Sequence, residues 1–187
     1  MKRDEAFRIL ARHLAGDIVV ATYTSAFEWL SARPGDPLNY VAVGVMGLAS
    51  SHGLGLALGR PARRVVVLDG DGSLLMNLGT LATIAAAAPL NLYHFVCENG
   101  SYEANGGHPI PGQDRVDFAG LSASAGYRAS HRFGELHDLE TRLPGLLAQQ
   151  GPVFVDLKVS PGVPPLKNYP HLHSAEARAA FRRAVNP

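Results

Sequence analysis

The sequence predicts an α/β fold of the doubly wound type, a three-layer sandwich with helices on both faces of a mostly parallel sheet. Short apolar runs alternate with segments of helical periodicity, as in βαβ units. These runs are continuously apolar, which is typical of strands buried on both faces. The length of 187 residues and the 47% hydrophobic content indicate one full-sized core.

The amino-terminal part of the chain predicts two helices and two strands. Apolar residues recur at helical spacing over residues 7–14, and Gly16 can end that helix. Residues 18–21 form an apolar run too short for a helix and are expected to be a strand. A second strand is expected over residues 40–43, followed by a helix of small residues over 46–58.

The middle of the chain repeats the same alternation. A strand is predicted over residues 64–68, a helix over 74–87 and a further strand over 90–96. A Gly- and Pro-rich loop is expected over residues 99–113. Strands separated by single helices indicate βαβ units and therefore a parallel sheet.

The carboxyl-terminal part predicts the last elements of the domain and a tail. Prolines at positions 161, 164, 165 and 170 indicate that residues 160–173 form an extended arm, and a helix is expected over 175–185. We therefore expect a cofactor-binding domain over residues 1–160, and an arm with a helix over 161–187 that packs on the domain or on a partner. The domain's remaining predicted elements are helices over 118–125 and 136–149 and a strand over 153–157.

Bulk composition narrows the class of partner. With 17 basic and 16 acidic residues the net charge is +1, which gives no electrostatic footprint for nucleic acid or an anionic membrane. Cys97 is the single cysteine, so no internal disulfide forms. No apolar run reaches the ~18 residues that cross a bilayer, and the first residues do not resemble a secretory signal. We expect a cytoplasmic protein whose ligand must be identified from motifs.

The first motif is Asp69-Gly70-Asp71-Gly72-Ser73, which directly follows a predicted strand. In a doubly wound fold, ligands bind at the carboxyl ends of the strands. The glycines permit a tight turn and close approach to a ligand, and a helix start favours an anion such as phosphate. Asp71 beside that anion suggests Mg²⁺, which joins carboxylates to phosphate oxygens. The alternative role for Asp71 is an ordinary helix N-cap.

The second motif, Glu98-Asn99-Gly100-Ser101-Tyr102-Glu103, follows the next predicted strand. Sequential parallel strands usually lie side by side, so Asp71 and Asn99 are expected at the same sheet edge. The Asn99 side-chain oxygen and the Ser101 carbonyl would complete an oxygen shell suited to Mg²⁺. This register favours the ligand interpretation of Asp71 over the N-cap.

Taken together, the two motifs resemble the thiamine-diphosphate motif of decarboxylases and acetolactate-synthase-like enzymes. The resemblance extends over roughly residues 1–160 and looks most similar to the thiamine-diphosphate-binding (PP) domain of sulfopyruvate and phosphonopyruvate decarboxylases. It is carried by MGLAS at 46–50, by GDGSLLMNLG at 70–79, and by Gly106-Gly107 followed by Pro109.

This resemblance assigns roles to individual positions. It implies magnesium ligation by Asp71, Asn99 and the Ser101 carbonyl. Gly44 corresponds to the residue whose carbonyl accepts a hydrogen bond from the aminopyrimidine, and Met46 to the apolar wedge between the two rings of the cofactor. The other implied cofactor contacts are Thr22, Thr24, Gly70, Gly72, Ser73 and Tyr102.

The resemblance also implies an activity, namely decarboxylation of a 2-oxo acid such as sulfopyruvate or phosphonopyruvate with thiamine diphosphate and Mg²⁺. A thiamine-dependent carboligase and a non-catalytic thiamine-diphosphate-binding protein are the alternatives. Thiamine enzymes need a glutamate on a pyrimidine-binding domain, for which this chain has no room. We therefore expect a partner subunit that supplies the glutamate, and self-association as well.

Several residues keep two interpretations at the level of sequence. His108 is the candidate for contacting substrate, or an ordinary surface histidine. Glu98 stands where the family often has a first asparagine, and it either tunes the site or pairs with a neighbour. Glu103 either lines the site or belongs to a solvated loop. The glycine run over 53–59 superficially matches a dinucleotide fingerprint, but close helix packing explains it better.

Overall fold

The centre of the fold is a six-stranded sheet built from the apolar runs. The computed structural model describes residues 1–42, 44, 46–162 and 174–186. All five pairings in this sheet are parallel, and the strand order is β2-β1-β3-β4-β8-β7. A separate antiparallel hairpin pairs β5 with β6. The strands are β1 Ile18–Ala21, β2 Asn39–Val41, β3 Val65–Gly70, β4 Leu92–Glu98, β5 Ser101–Tyr102, β6 His108–Pro109, β7 Ala129–Phe133 and β8 Val153–Lys158.

Helices cover both faces of the sheet, so the predicted three-layer α/β fold is confirmed. Successive strand residues point to opposite faces: Val66 and Leu68 enter one apolar cluster, Val65 and Val67 the other. Helices α1, α2 and α7 contribute to the first cluster, and α3, α5, α6 and α8 to the second. The helices are α1 Arg3–His13, α2 Tyr23–Ala32, α3 Ala49–Gly59, α4 Asp71–Met76, α5 Thr80–Ala87, α6 Phe118–Ala125, α7 Leu136–Leu147 and α8 Ala175–Val185.

The topology places a switch point next to β1. Strand β1 pairs with β2 on one side and with β3 on the other, so the chain reverses direction across the sheet there. Crevices at the carboxyl ends of strands beside such a point are the usual ligand sites of open α/β sheets. Strand β4 lies next to β3, with Gly70 in register with Cys97. The expected adjacency of the two motif-bearing strands is therefore confirmed.

Two predicted helices have different limits in the structure. The single helix expected over 74–87 is wrong, because α4 ends at Met76 and α5 begins at Thr80. Between them, the Asn77 side chain donates to the Gly47 carbonyl at 3.0 Å. The helix expected from residue 46 begins at Ala49 instead, since Gly47 has a φ of +94°, which lies outside the helical region.

The sequence analysis missed several elements. Helix α2 carries five buried residues but has a weak amphipathic pattern. Strand β7 is an edge strand of mixed polarity, ASHRF, without the apolar run of a central strand. The loop expected over 99–113 contains the β5–β6 hairpin. The strand expected over 90–96 begins at Leu92, and that expected over 40–43 is Asn39–Val41.

The glycine run over 53–59 lies in α3, as the packing interpretation requires. A Cβ at Gly53 would lie 2.2 Å from Cγ2 of Val67, so only glycine allows this approach of α3 to β3.

The tail is described in part. Residues 163–173 of the predicted arm lie outside the described residues. Helix α8 packs its Phe181 and Val185 against the second apolar cluster, with the Phe181 ring 5.1 Å from that of Tyr40. No helix within the described ranges is long and apolar enough to cross a membrane.

Candidate functional site

A pocket opens at the carboxyl ends of β1, β3 and β4, beside the switch point. The loops that follow these strands supply most of its wall, and the start of α1 and the turn before α3 supply the rest. Its lining residues are Arg3, Thr22, Tyr23, Thr24, Ser25, Met46, Gly70, Asp71, Gly72, Ser73, Cys97, Asn99, Ser101, Tyr102, Glu103 and Ala104.

Asp71 supplies a buried carboxylate to this pocket. Asp71 is 2% exposed. Its Oδ2 accepts backbone N–H bonds from Asn99 at 2.9 Å and Gly100 at 2.7 Å, and its Oδ1 accepts one from Gly72 at 2.7 Å. Burial raises the pKa of Asp71, and these three hydrogen bonds partly oppose that shift. The sheet edge thus holds a carboxylate by backbone donors from two loops.

The Asn99 side chain folds back over its own loop. Its Oδ1 accepts from the Ser101 backbone N–H at 2.8 Å and from the Ser101 hydroxyl at 3.2 Å. Gly100 between them has a φ of +74°, a conformation that favours glycine. This turn fixes an amide oxygen, next to the point where the Asn99 backbone contacts Asp71.

The Tyr102 ring lies so close to position 72 that it leaves room only for glycine there. A Cβ at Gly72 would lie 2.4 Å from Cε1 and 2.5 Å from Cδ1 of Tyr102. The ring therefore covers the start of α4 at a distance that a larger residue would prevent. This contact joins the loop after β3 to the loop after β4.

The turn that carries Met46 is attached to α4. The Gly47 N–H donates to the Ser73 hydroxyl at 3.1 Å, and the Asn77 side chain donates to the Gly47 carbonyl. These two bonds hold the turn against the helix, and Met46 lines the pocket as a result.

The loop after β1 forms the opposite wall. The Thr22 hydroxyl donates to the Ala42 carbonyl at 2.6 Å, which attaches this loop to the end of β2. Tyr23 has a φ of +46°, which is unusual for a residue with a side chain. The Ser25 hydroxyl donates to the Asp69 carbonyl at 3.4 Å, linking α2 to the strand that ends at Gly70.

A chain of buried polar groups connects the end of β3, where the first motif begins, to the core of the domain. Asp69 Oδ1 accepts from the Gly70 N–H at 2.9 Å, and Oδ2 lies 3.3 Å from Nε2 of His94. Nδ1 of His94 lies 3.2 Å from the Tyr127 hydroxyl. Burial raises the pKa of Tyr127, so the phenol stays protonated and can donate to His94. His94 is thus a core residue with both ring nitrogens occupied.

Most predicted site residues line this pocket, but two do not. All three predicted metal ligands and the predicted contacts on β1, β3 and β4 loops are among its lining residues. Gly44 is exposed on the turn before α3, and His108 is exposed on β6. The sequence analysis did not select Arg3, Tyr23, Ser25, Cys97 or Ala104, which also line the pocket. The last four lie within two residues of selected positions, whereas Arg3 has no motif near it in the sequence.

The two glutamates beside the metal loop have different partners. Glu98 pairs with the Lys158 ammonium on β8, outside the pocket lining. Burial raises the pKa of Glu98, and the bond to Lys158 opposes the shift. Glu103 does line the pocket and pairs with Arg3 at 2.7 Å.

Within the described part of the chain, no three His, Cys, Asp or Glu side chains cluster to hold a metal.

Comparison with known proteins identifies the family of this chain. The family model described as "Thiamine pyrophosphate enzyme, C-terminal TPP binding domain" matches residues 19–157. The chain is 41% identical over 175 residues to phosphonopyruvate decarboxylase of Streptomyces hygroscopicus, covering 94% of this chain and 43% of that protein. It is 38% identical over 162 residues to sulfopyruvate decarboxylase subunit beta of Methanothermobacter thermautotrophicus, covering 87% of this chain and 84% of that protein.

A solved structure gives the same result at the level of the fold. An enzyme from Mycobacterium smegmatis assigned to the thiamin diphosphate-dependent class matches with a TM-score of 0.74 and 25% identity, over 87% of this chain and 32% of that one. This chain spans less than half the length of the Streptomyces decarboxylase. Since the family model matches residues 19–157, the chain belongs to the thiamine pyrophosphate enzymes and carries their C-terminal, TPP-binding domain.

Proposed function

We propose that this pocket binds thiamine diphosphate through Mg²⁺, and that the chain supplies this half of the active site of a 2-oxo-acid decarboxylase. The observation that carries the proposal is the buried Asp71 carboxylate at the junction of two loops, next to the Asn99 turn. Burying a carboxylate costs free energy unless the group is paired or ligates a cation. Family membership supplies the identity of the ligand.

The donor set suits Mg²⁺. A carboxylate offers about four lone-pair sites, and three backbone N–H groups approach Asp71, which leaves room for one cation. Asn99 Oδ1 becomes available when the Ser101 hydroxyl, the longer of its two donors at 3.2 Å, rotates away. The Ser101 carbonyl is the proposed third ligand. All are oxygen donors, which Mg²⁺ prefers.

The remaining contacts follow from the shape of the pocket. Gly72 and Ser73 would present their backbone to the diphosphate, and Gly70 lets the chain turn towards it. Thr22 and Thr24 would hold it from the loop after β1. Met46, whose turn is fixed by Ser73, would support the bend of the cofactor between its rings. The exposed Gly44 would offer its carbonyl to the aminopyrimidine.

The bound cofactor would supply the electron sink that decarboxylation of a 2-oxo acid requires. The part of this chain in catalysis would be to bind and orient the cofactor and to exclude water at its diphosphate end. Preorganised groups of this kind act without rearrangement during the reaction.

The lengths of the relatives support a divided active site. The Streptomyces protein contains a further segment beyond the region matched here, whereas the Methanothermobacter relative is a subunit of similar extent. We infer that a partner subunit supplies the pyrimidine-binding domain and its glutamate, and that the chain also self-associates.

The exposed His108 would face substrate or partner in the assembled active site. Residues 1–160 would form the cofactor domain, and 161–187 the arm and helix that pack on it or on a partner.

Reconstitution tests the activity. The chain is mixed with a companion protein of pyrimidine-domain pattern, and carbon dioxide release is measured with 3-sulfo-, 3-phosphono- and unsubstituted 2-oxo acids. We expect release only in the mixture and only with Mg²⁺ and thiamine diphosphate. Absence of release from every acid would contradict the decarboxylase assignment. Formation of a longer hydroxy-ketone would indicate a carboligase, and tight cofactor binding without turnover a binding protein.

A further inference from the structure

The guanidinium of Arg3 joins two acidic side chains beside the pocket. Its Nε and Nη2 donate to the two carboxylate oxygens of Glu28 at 2.7 and 2.9 Å. Nη2 also lies 2.7 Å from Oε2 of Glu103. The three side chains are 4%, 10% and 7% exposed, so the network is largely removed from water. Helices α1 and α2 are thereby connected to the segment that follows the metal loop.

Glu103 extends this network to the end of the sheet. Its Oε1 accepts from the Gly162 backbone N–H at 2.7 Å, beyond the end of β8. One carboxylate therefore connects residues 99–105 to α1 through Arg3 and to residues 160–162 through the backbone. Strand β5, Ser101–Tyr102, directly precedes this anchor, so displacement of Glu103 would also displace the turn formed by Asn99 and Ser101.

Charge makes Arg3 necessary for this arrangement. The side chains of Glu28 and Glu103 are largely removed from water, and the negative charge of Glu103 acts on Asp71. Without a cation among them, desolvated carboxylates would repel one another or be driven out into water. The planar fork of arginine can bond one carboxylate at two points and still reach a second one. A lysine offers a single point of charge in its place.

We propose that Arg3 and Glu103 are positioning residues that hold the 99–103 loop in the geometry needed to bind Mg²⁺ and diphosphate. The proposal rests on the cofactor-binding function above. Neither residue is required to touch the reacting atoms. Groups that orient metal ligands in this way typically change metal affinity by about 10- to 100-fold when removed.

Two measurements on the full chain test this inference. Calorimetric titration with thiamine diphosphate, at one fixed magnesium concentration, gives the Kd, and thermal unfolding gives the Tm of each variant. The decisive variant is Glu103→Gln, which keeps the shape of the side chain and the Arg3–Glu28 pair but removes the charge. Arg3→Met removes the bridge, and Arg3→Lys keeps only the charge. Arg8→Met is the control, since Arg8 lies on the same helix and forms an exposed pair with Asp4.

We expect Glu103→Gln and Arg3→Met to raise the Kd about 10- to 100-fold, Arg3→Lys to raise it less, and Arg8→Met to leave it unchanged. Hydrogen exchange in residues 99–105 should accelerate in Glu103→Gln without a matching change in α7. If Arg3→Met does not fold, Glu103→Gln decides the outcome. A folded Glu103→Gln with the wild-type Kd overturns the inference, even if its Tm is lower. A wild-type chain that binds no thiamine diphosphate overturns the proposed function instead.

Discussion

The backbone N–H of Asn99 donates to Oδ2 of Asp71 at 2.9 Å, although 28 residues separate the two positions. The parallel pairing of β3 with β4, with Gly70 in register with Cys97, produces this contact. Both strands end at the same edge, so the first residues beyond them meet. The two motifs are therefore one structural unit, and a change in either loop should affect the same binding event.

Gly72→Ala should weaken cofactor binding. Its Cβ would lie 2.4 Å from the Tyr102 ring, so the ring or the start of α4 must move. Displacement of about 1 Å at such a site is enough to lose a large part of its function. We expect an increase of at least about tenfold in the Kd for thiamine diphosphate, measured by calorimetry. The control is Gly55→Ala in α3, where a Cβ meets nothing within 4 Å. Equal affinities in both variants would contradict the proposed role of Gly72.

Gly53→Ala should destabilise the fold without acting on the site directly. The added Cβ would lie 2.2 Å from Cγ2 of Val67 and force α3 away from β3. Overpacking of this kind costs about 1–3 kcal/mol. Gly55→Ala in the same helix should instead stabilise by up to about 1 kcal/mol, because alanine is the better helix former. Chemical denaturation of both variants measures the difference, and equal free energies of unfolding would show that α3 packs differently.

His94→Leu should reduce stability more than His94→Gln does. Leucine removes the His94 contact at 3.3 Å from Oδ2 of the buried Asp69, whose Oδ1 keeps its bond from Gly70. Loss of the partner of one buried oxygen costs about 1–3 kcal/mol. The glutamine amide can place a donor near the same position. Denaturant midpoints of the two variants check this. A leucine variant as stable as the glutamine one would mean that the bond from His94 to Asp69 contributes nothing.

Asp117 should give a pH-dependent contribution to stability. The backbone N–H of Gly120 at the start of α6, followed by Arg132, lowers the pKa of Asp117. Folding therefore favours its ionised form, and this stabilisation is present above the usual Asp pKa and is lost as the pH falls through the lowered value. Asp117→Ala should cost about 1 kcal/mol at pH 7, as N-cap losses do.

Asp117→Asn is the matched variant, since Asn is also a good N-cap but carries no charge. The free energies of unfolding of wild type and Asp117→Asn should converge as the pH is lowered below about 4. A difference that stays constant from pH 7 to pH 3 would exclude an electrostatic contribution from Asp117.

The fold could be predicted where a pattern repeats locally. Strands β1, β3, β4 and β8 are apolar runs, and their alternation with helices leads to a parallel sheet by general rules. Strand β7 could not be predicted because, at the edge of the sheet, its side chains are only partly buried. The break after α4 depends on the Asn77–Gly47 bond, a contact between residues distant in sequence.

The candidate site divides in the same way. Asp71 and Asn99 could be selected because strand ends and oxygen donors leave a signal in the sequence. Arg3 could not be selected, because it pairs with a residue 100 positions further along the chain, Glu103, and nothing in the sequence around Arg3 indicates this contact. Gly44 was selected by resemblance and His108 by its position in the Gly-rich loop, and both are exposed outside the pocket lining.

The measurement that tests the central claim most directly is the binding of thiamine diphosphate to wild type and Asp71→Ala, with Mg²⁺ and with EDTA. We expect wild type to bind thiamine diphosphate only with Mg²⁺. Binding should raise its free energy of unfolding by about 2.7 kcal/mol at a ligand concentration of 100 Kd. Asp71→Ala should remain folded, because Asp71 lies at the start of α4 at the edge of the sheet and belongs to neither apolar cluster, and it should show neither effect. Equal affinity of the two proteins, or undiminished binding in EDTA, would contradict a site in which this carboxylate holds the diphosphate through a metal ion.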